Sequence, residues 1–411
     1  LTKPAKRLAE VDLVRALTAM GVILLHTLGY FAGVDSAGSP SYRLDQILIE
    51  LMRYSRQVFI LISGLVLAYS YREKAASPAV FWPKRARSVG LPYVAWTLLY
   101  LGLDWVYGMR APGGSTSAII GRALLTGDAY YHLYYIVVSL QFYLIFPWLL
   151  PWLRRLDGRR AIRMVIALGA AYLGLMAFMA RHPFSLPIPS GGPFPRLALA
   201  LQALYANSDR LLLSYLPYFL FGALAGLHLE EFRAVLERHR SGLAAVGAVT
   251  AGYLAFDWFA AVVVGGQDFN TYVTVFRPAM FLYSLAAFGL LYLGALALAR
   301  SGGRLAERLR ALAPHTFGIY LIHPMVLFLL ERYLFVFFDH LHPLLIAPLW
   351  LAALAVSYET VSLLATTPLG PFLFGTTASR RKAEPVGRRT PAGRPSAAAV
   401  GSSATASPGA R

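Results

Sequence analysis

No cysteine occurs among the 411 residues. This excludes disulfides, thiolate metal sites and a cysteine nucleophile. Charge is scarce as well: Asp, Glu, Lys and Arg make up 14% of the chain, where a soluble domain carries about a quarter. Acidic residues are the scarcer half, 20 against 38 basic ones. Hydrocarbon takes the place of charge. Hydrophobic residues reach 57% and the mean hydropathy is +0.55, which excludes an ordinary soluble domain and predicts an all-α, polytopic transmembrane bundle. No internal repeat of the transporter kind is evident.

About ten spans of roughly 20 residues can be drawn. They lie near 12–32, 50–71, 88–108, 131–151, 161–180, 211–229, 242–264, 277–299, 315–335 and 344–367. The amphipathic stretch 44–56 is expected to extend the second helix outward. Leu13 to Phe31 is too long for a signal-peptide core and lacks a small-residue cleavage site, so it is expected to be a retained span. With an inside N-terminus, 27 of the Lys and Arg residues fall on inside segments, 8 on outside segments and 3 within spans. That asymmetry predicts a multi-pass protein of the plasma membrane with both termini cytoplasmic. The net charge of +18 is therefore mostly topology, and no nucleic-acid partner is expected. Residues 376–411, rich in Ala, Pro, Gly, Ser and Arg, cannot bury a core and are expected to form a disordered cytoplasmic tail behind a membrane domain at 1–375.

Within the first span, Arg15 and His26 stand alone among apolar neighbours. Eleven residues on an α-helix turn about 1100°, roughly 20° past three full turns, so both side chains leave from nearly one face about 16 Å apart. Ionisable groups at bilayer depth cost about 2.5–3.5 kcal/mol on insertion scales, and their default reading is functional. Singly, each has a plainer reading: Arg15 could snorkel to lipid phosphates, and His26 could bridge two helices. Together they suggest an anion clamp near one membrane face with a titratable base deeper on the same line.

Four further stretches bear on that pair. Phe59-Ile-Leu-Ile-Ser63-Gly64-Leu65 puts small residues mid-span, where another backbone can approach. Lys84, Arg85 and Arg87 cluster at the inner mouth of the third span, either as positive-inside anchors or as a phosphate clamp. Tyr131-His132-Leu133-Tyr134-Tyr135 opens the fourth span, as an aromatic belt or as part of a site. Thr316-Phe-Gly318-Ile-Tyr320-Leu-Ile-His323-Pro324 sets a histidine near mid-membrane before a kink-forming proline. Glu359 could neutralise a cation or pair structurally. Glu50, Arg53, Arg56 and Gln57 share a stripe that would line an entrance or meet lipid headgroups.

Taken in order, these elements resemble the acyltransferase 3 family of integral-membrane acyltransferases, over about residues 8–370. The carriers are the Arg-x10-His pair, the Phe-x-x-x-Ser-Gly stretch and the basic stretch ending Pro92-Tyr93-Val-Ala-Trp96. The His132-Leu-Tyr-Tyr opening and the Gly318-Ile-Tyr-Leu-Ile-His323-Pro motif complete the set. Two positions depart from the pattern: Ser88 stands where a second arginine is usual, with Arg87 offset by one, and Leu65 replaces an aromatic. The resemblance implies transfer of an acyl group, usually acetyl, from cytoplasmic acyl-coenzyme A to a hydroxyl of a cell-envelope glycan or lipid-linked sugar. Residues 1–375 would then be the acyltransferase domain, acetyl-coenzyme A the co-substrate, and no metal would be needed. Arg15 with Lys84, Arg85 or Arg87, and Ser63, would hold the donor. His26, neutral in its buried setting, would be the general base, with an acyl-histidine as the rival course. His132, Tyr135, Tyr320, His323 and Glu359 are candidates for the acceptor site or for structural roles. A transporter or flippase for a glycan precursor is the competing class.

Overall fold

The computed structural model describes residues 8–109, 114–181, 207–274, 277–334 and 342–375. The expected tail at 376–411 lies outside them. The described residues carry helices and turns and no strand.

In chain order the helices are α1 (Ala9–Val34), α2 (Pro40–Met52), α3 (Tyr54–Ser70), α4 (Pro78–Arg85), α5 (Leu91–Tyr107) and α6 (Thr116–Thr126). Then come α7 (Tyr134–Leu153), α8 (Gly158–Arg181), α9 (Leu216–Leu227), α10 (Leu229–Arg238), α11 (Arg240–Trp258) and α12 (Phe269–Tyr272). The last are α13 (Pro278–Ser301), α14 (Arg304–Leu312), α15 (Thr316–Leu334), α16 (Ile346–Leu364) and α17 (Gly370–Phe374). Among the described residues nine helical segments are long and apolar enough to cross a membrane. The tenth expected span is a bent pair: α9 breaks by 105° into the amphipathic α10. The protein is a polytopic membrane protein.

Local chemistry explains where helices join and break. The amphipathic extension of the second span is α2, continuous with α3 through Arg53 in one 31-residue segment. The third span starts earlier than expected. A π-turn at Ala86–Gly90 links α4 to α5, just before Pro92, which has no N–H to give to the Ser88 carbonyl. The fourth begins later, because Tyr131-His132-Leu133 form a turn ahead of α7. Prolines inside helices free carbonyls, and in an apolar medium those must find donors. Pro147 leaves the Tyr143 carbonyl open, and the indole Nε1 of Trp82 donates to it at 3.3 Å. Thr18 and Thr27 within α1 satisfy their hydroxyls on the carbonyls of Val14 and Ile23, at 2.7 and 2.9 Å.

Among the described residues, α3 and α9 pack backbone against backbone. Gly64 is the small residue the sequence marked for close approach: a β-carbon there would overlap the Phe219 carbonyl oxygen. Gly222 and Gly226 do the same from the other side, against the carbonyls of Leu61 and Leu65. Four residues apart on α9, they form a small-xxx-small face that lets two backbones meet. This contact fixes the height and rotation of α3, and α3 carries Ser63, Phe59 and Arg56 toward the centre of the bundle.

Candidate active site

Helical stripes from four elements converge on one line. On α1 the stripe runs through Arg15, Val22 and His26; on α3 through Arg56, Phe59 and Ser63. On α7 it runs through Tyr135, Ser139 and Tyr143, and on α15 through Thr316, Tyr320 and His323. The spacings of three, four, seven and eight residues each return to one helix face. Two cavities open along this line, called inner and outer by the orientation that the charge asymmetry predicts.

The inner cavity, of about 330 Å³, is lined by Arg15, Ser63, Arg85, Ser88, Ser139, Tyr143, Thr316, Phe374 and Gly375, among others. Arg15 Nη2 donates to the Thr316 hydroxyl at 3.3 Å. Arg85 lies with its guanidinium 5.2 Å from the ring centres of both Phe81 and Tyr143, and its Nε and the Ser88 hydroxyl are buried without a protein partner. The chain's α17 closes this cavity beside the π-turn. Gly375 sits there at φ +64, and any β-carbon would overlap the Ser88 carbonyl.

The outer cavity, of about 170 Å³, is lined by Val22, Leu25, His26, Arg53, Ser55, Arg56, Tyr131, His132 and Tyr134. Three further residues, Phe59, Tyr135 and Tyr320, line both cavities. Their rings lie 5.5 to 6.4 Å apart, centre to centre. Arg15 and His26 thus open into neighbouring cavities that share three aromatic residues.

Around His26 the bundle gathers a cluster of rings. His26 is 4.6 Å from Tyr131 and 5.3 Å from His323, and His323 is 5.5 Å from His132. Tyr320 donates its hydroxyl to the His132 carbonyl, which ties α15 to the turn before α7. His323 is completely buried. Its Nδ1 faces the carbonyls of Tyr320 and Ile319, at 2.8 and 3.1 Å. Carbonyl oxygens only accept, so Nδ1 carries the proton. The cause lies next door: Pro324 has no N–H to give to the Tyr320 carbonyl, and the imidazole fills the vacancy. Nε2 of His323 is left without a protein partner, as are both ring nitrogens of His132. Among the described residues no group of three or more His, Asp or Glu is arranged to hold a metal ion.

The sequence-predicted residues divide accordingly. Arg15, Ser63 and Arg85 meet in the inner cavity; His26 and His132 meet in the outer one, with His323 behind them; Tyr135 and Tyr320 stand between. Lys84 and Arg87 are exposed and line neither cavity. Each is one or two residues from Arg85, about 100° or 200° around the helix, so only one of the three cations can face inward. Glu359 is likewise exposed on α16 and lines neither cavity. The stripe at the outer end of the second span proves to be more than a headgroup contact. Arg53 and Arg56 line the outer cavity, and Glu50 is fully buried in an ion pair with Arg277. Sequence reasoning passed over Thr316, Phe59 and Tyr143 as site residues. Thr316 and Tyr143 were legible by spacing, four before Tyr320 and eight after Tyr135.

Among the described residues, a bundle of nine candidate spans and one bent pair holds a cavity with Arg15 and Arg85 beside a cavity with His26 and His132, the interior of a membrane enzyme rather than of a structural bundle. Residues 8–367 match the acyltransferase 3 family, described as an acyltransferase domain, and the chain belongs to that family. It is similar to a Bacillus subtilis (strain 168) protein provisionally named membrane-bound acyltransferase YfiQ. The two are 22% identical over 322 residues, 77% of this chain and 80% of the relative. No solved structure matches.

Proposed function

We propose that this membrane O-acyltransferase takes its acyl group, acetyl in the simplest case, from acyl-coenzyme A at the cytoplasmic face. It delivers the group to a hydroxyl of a cell-envelope glycan or lipid-linked sugar. One observation carries the reading: Arg15 and His26 open into two chambers that share Phe59, Tyr135 and Tyr320. In this account Arg15 and Arg85 hold the phosphates of the donor, where charge-assisted bonds of guanidinium to phosphate are strong and directional. The pantetheine arm lies along α1, and the thioester passes those three aromatic residues to reach the outer chamber.

There His26 accepts the proton of the acceptor hydroxyl as its oxygen attacks the thioester carbonyl. The new C–O bond forms, the C–S bond breaks, and the thiolate leaves with the proton returned from His26. His323, its tautomer fixed by the Tyr320 carbonyl, presents an unprotonated Nε2 in the same cluster and supports the charge that His26 gains. Tyr320 and Tyr135 position both substrates at the point of transfer.

The test is turnover of labelled acetyl-coenzyme A by membranes carrying the wild type or His26→Ala, with incorporation into envelope glycans as the readout. Removing a general base lowers the rate about 10²–10⁴-fold, while donor binding is expected to persist. Full turnover by His26→Ala would overturn the assignment.

A further inference from the structure

Two arginines line the outer cavity, and among the described residues no carboxylate lines it with them. A guanidinium cannot shed its proton in a protein, so the chamber that would receive the acceptor holds fixed positive charge. Among the described residues, the nearest acids are shared with, or engaged by, other arginines. Glu50 pairs with Arg53 at 3.7 Å through one oxygen and with Arg277 through the other, and Arg277 also takes Asp257 at 2.6 Å, so one carboxylate is shared between two guanidiniums. Asp209, which acts on Arg56 from a distance, pairs with Arg210 at 3.9 Å. Arg56 itself has neutral partners. Its Nη1 donates to the Tyr134 hydroxyl at 2.7 Å, its plane lies over the Tyr134 and Tyr215 rings, and its Nε is buried without a partner.

We propose that the outer cavity takes an acceptor bearing an oxyanion, a phosphate or a carboxylate, beside the hydroxyl that is acylated. The inference rests on the acyl-transfer reading above and names its substrate class. Arg56 is one turn outward from Phe59, about 4.5 Å along the helix. The anion would therefore be held one turn outward from Phe59, while the sugar ring lies against the tyrosines and its hydroxyl reaches His26. A neutral acceptor would leave Arg56 with neutral partners alone and Arg53 with a carboxylate it shares with Arg277, which disfavours its binding. The oxyanion could belong to a lipid-linked sugar phosphate or to an acidic sugar of the glycan itself.

Thermal unfolding of the full chain in detergent, at constant ionic strength, decides the matter with three probes: glucose 1-phosphate, glucuronate and glucose. The expected result is a rise in Tm with at least one anionic probe and none with glucose. Response to the phosphate alone points to the lipid-linked source, and response to glucuronate alone to the acidic glycan; either supports the site. The rise should vanish in R53Q/R56Q, persist in R85Q and be retained at least in part by R56K, which keeps the charge. No rise with either anion, an equal rise with glucose, or a rise that survives in R53Q/R56Q would overturn the proposal. Binding of acetyl-coenzyme A in the same preparations separates this claim from the one beneath it. R53Q/R56Q should bind the donor as the wild type does, whereas a wild type that binds the anionic probe but no donor keeps the anion site and sinks the acyl-transfer reading.

Discussion

His323 owes its protonation pattern to the residue that follows it. Pro324 leaves the Tyr320 carbonyl without an amide donor, and the imidazole Nδ1 supplies one at 2.8 Å. Pro324→Ala returns the amide and releases the ring to either tautomer. One such bond is worth about 1 kcal/mol, roughly fivefold in rate, so kcat should fall by about that much with the donor KM unchanged. An unchanged kcat would show that the tautomer is immaterial. The basic cluster gives a second prediction at this scale. Arg85→Ala should raise the donor KM about tenfold or more, since a hydrogen bond to a charged group contributes about 1.5–3 kcal/mol, while the exposed Arg87→Ala should leave it near the wild-type value. Steady-state kinetics on both variants checks this. Sequence could narrow the clamp to Lys84, Arg85 and Arg87 but could not choose, because the π-turn at Ala86–Gly90 shifts the register where the choice is made.

At the scale of elements, the site depends on the height and rotation of α3, and these depend on glycine. Gly64, Gly222 and Gly226 let the backbones of α3 and α9 meet where any β-carbon would overlap a carbonyl. Gly222→Leu should cost about 1–3 kcal/mol or more by overpacking and displace Ser63, Phe59 and Arg56 together. Size-exclusion chromatography should show loss of the monodisperse peak, whereas Gly242→Ala, on an exposed and open position of α11, should not. The small residues of α3 were legible as an invitation to close packing, and the Gly-x-x-x-Gly of α9 stood in the sequence too. Their pairing was not legible, since nothing local says which helix meets which. The same holds for Glu50 and Arg277, which join across 227 residues and turn an apparent headgroup stripe into a cavity wall.

The molecule as a whole reads from its composition more directly than its site does. Span positions follow from hydropathy, and the bend between α9 and α10 falls where an apolar run gives way to an amphipathic one. The absence of cysteine makes orientation easy to test: Ser301→Cys and Gln267→Cys are both exposed positions at opposite ends of the bundle. In intact cells a membrane-impermeant maleimide should label Gln267→Cys and leave Ser301→Cys unlabelled until the membrane is opened; the reverse would invert the topology. The division of the centre into two chambers was not legible, because three aromatic residues from α3, α7 and α15 come together only when those helices assemble. The central claim is that one donor spans both chambers, and a structure bound to a non-hydrolysable acetyl-coenzyme A analogue tests it most directly. Phosphates at Arg15 and Arg85, with the acetyl end beyond Phe59, Tyr135 and Tyr320 and beside His26, is the predicted result. An analogue bound elsewhere, or one whose acetyl end never passes those three rings, would contradict it.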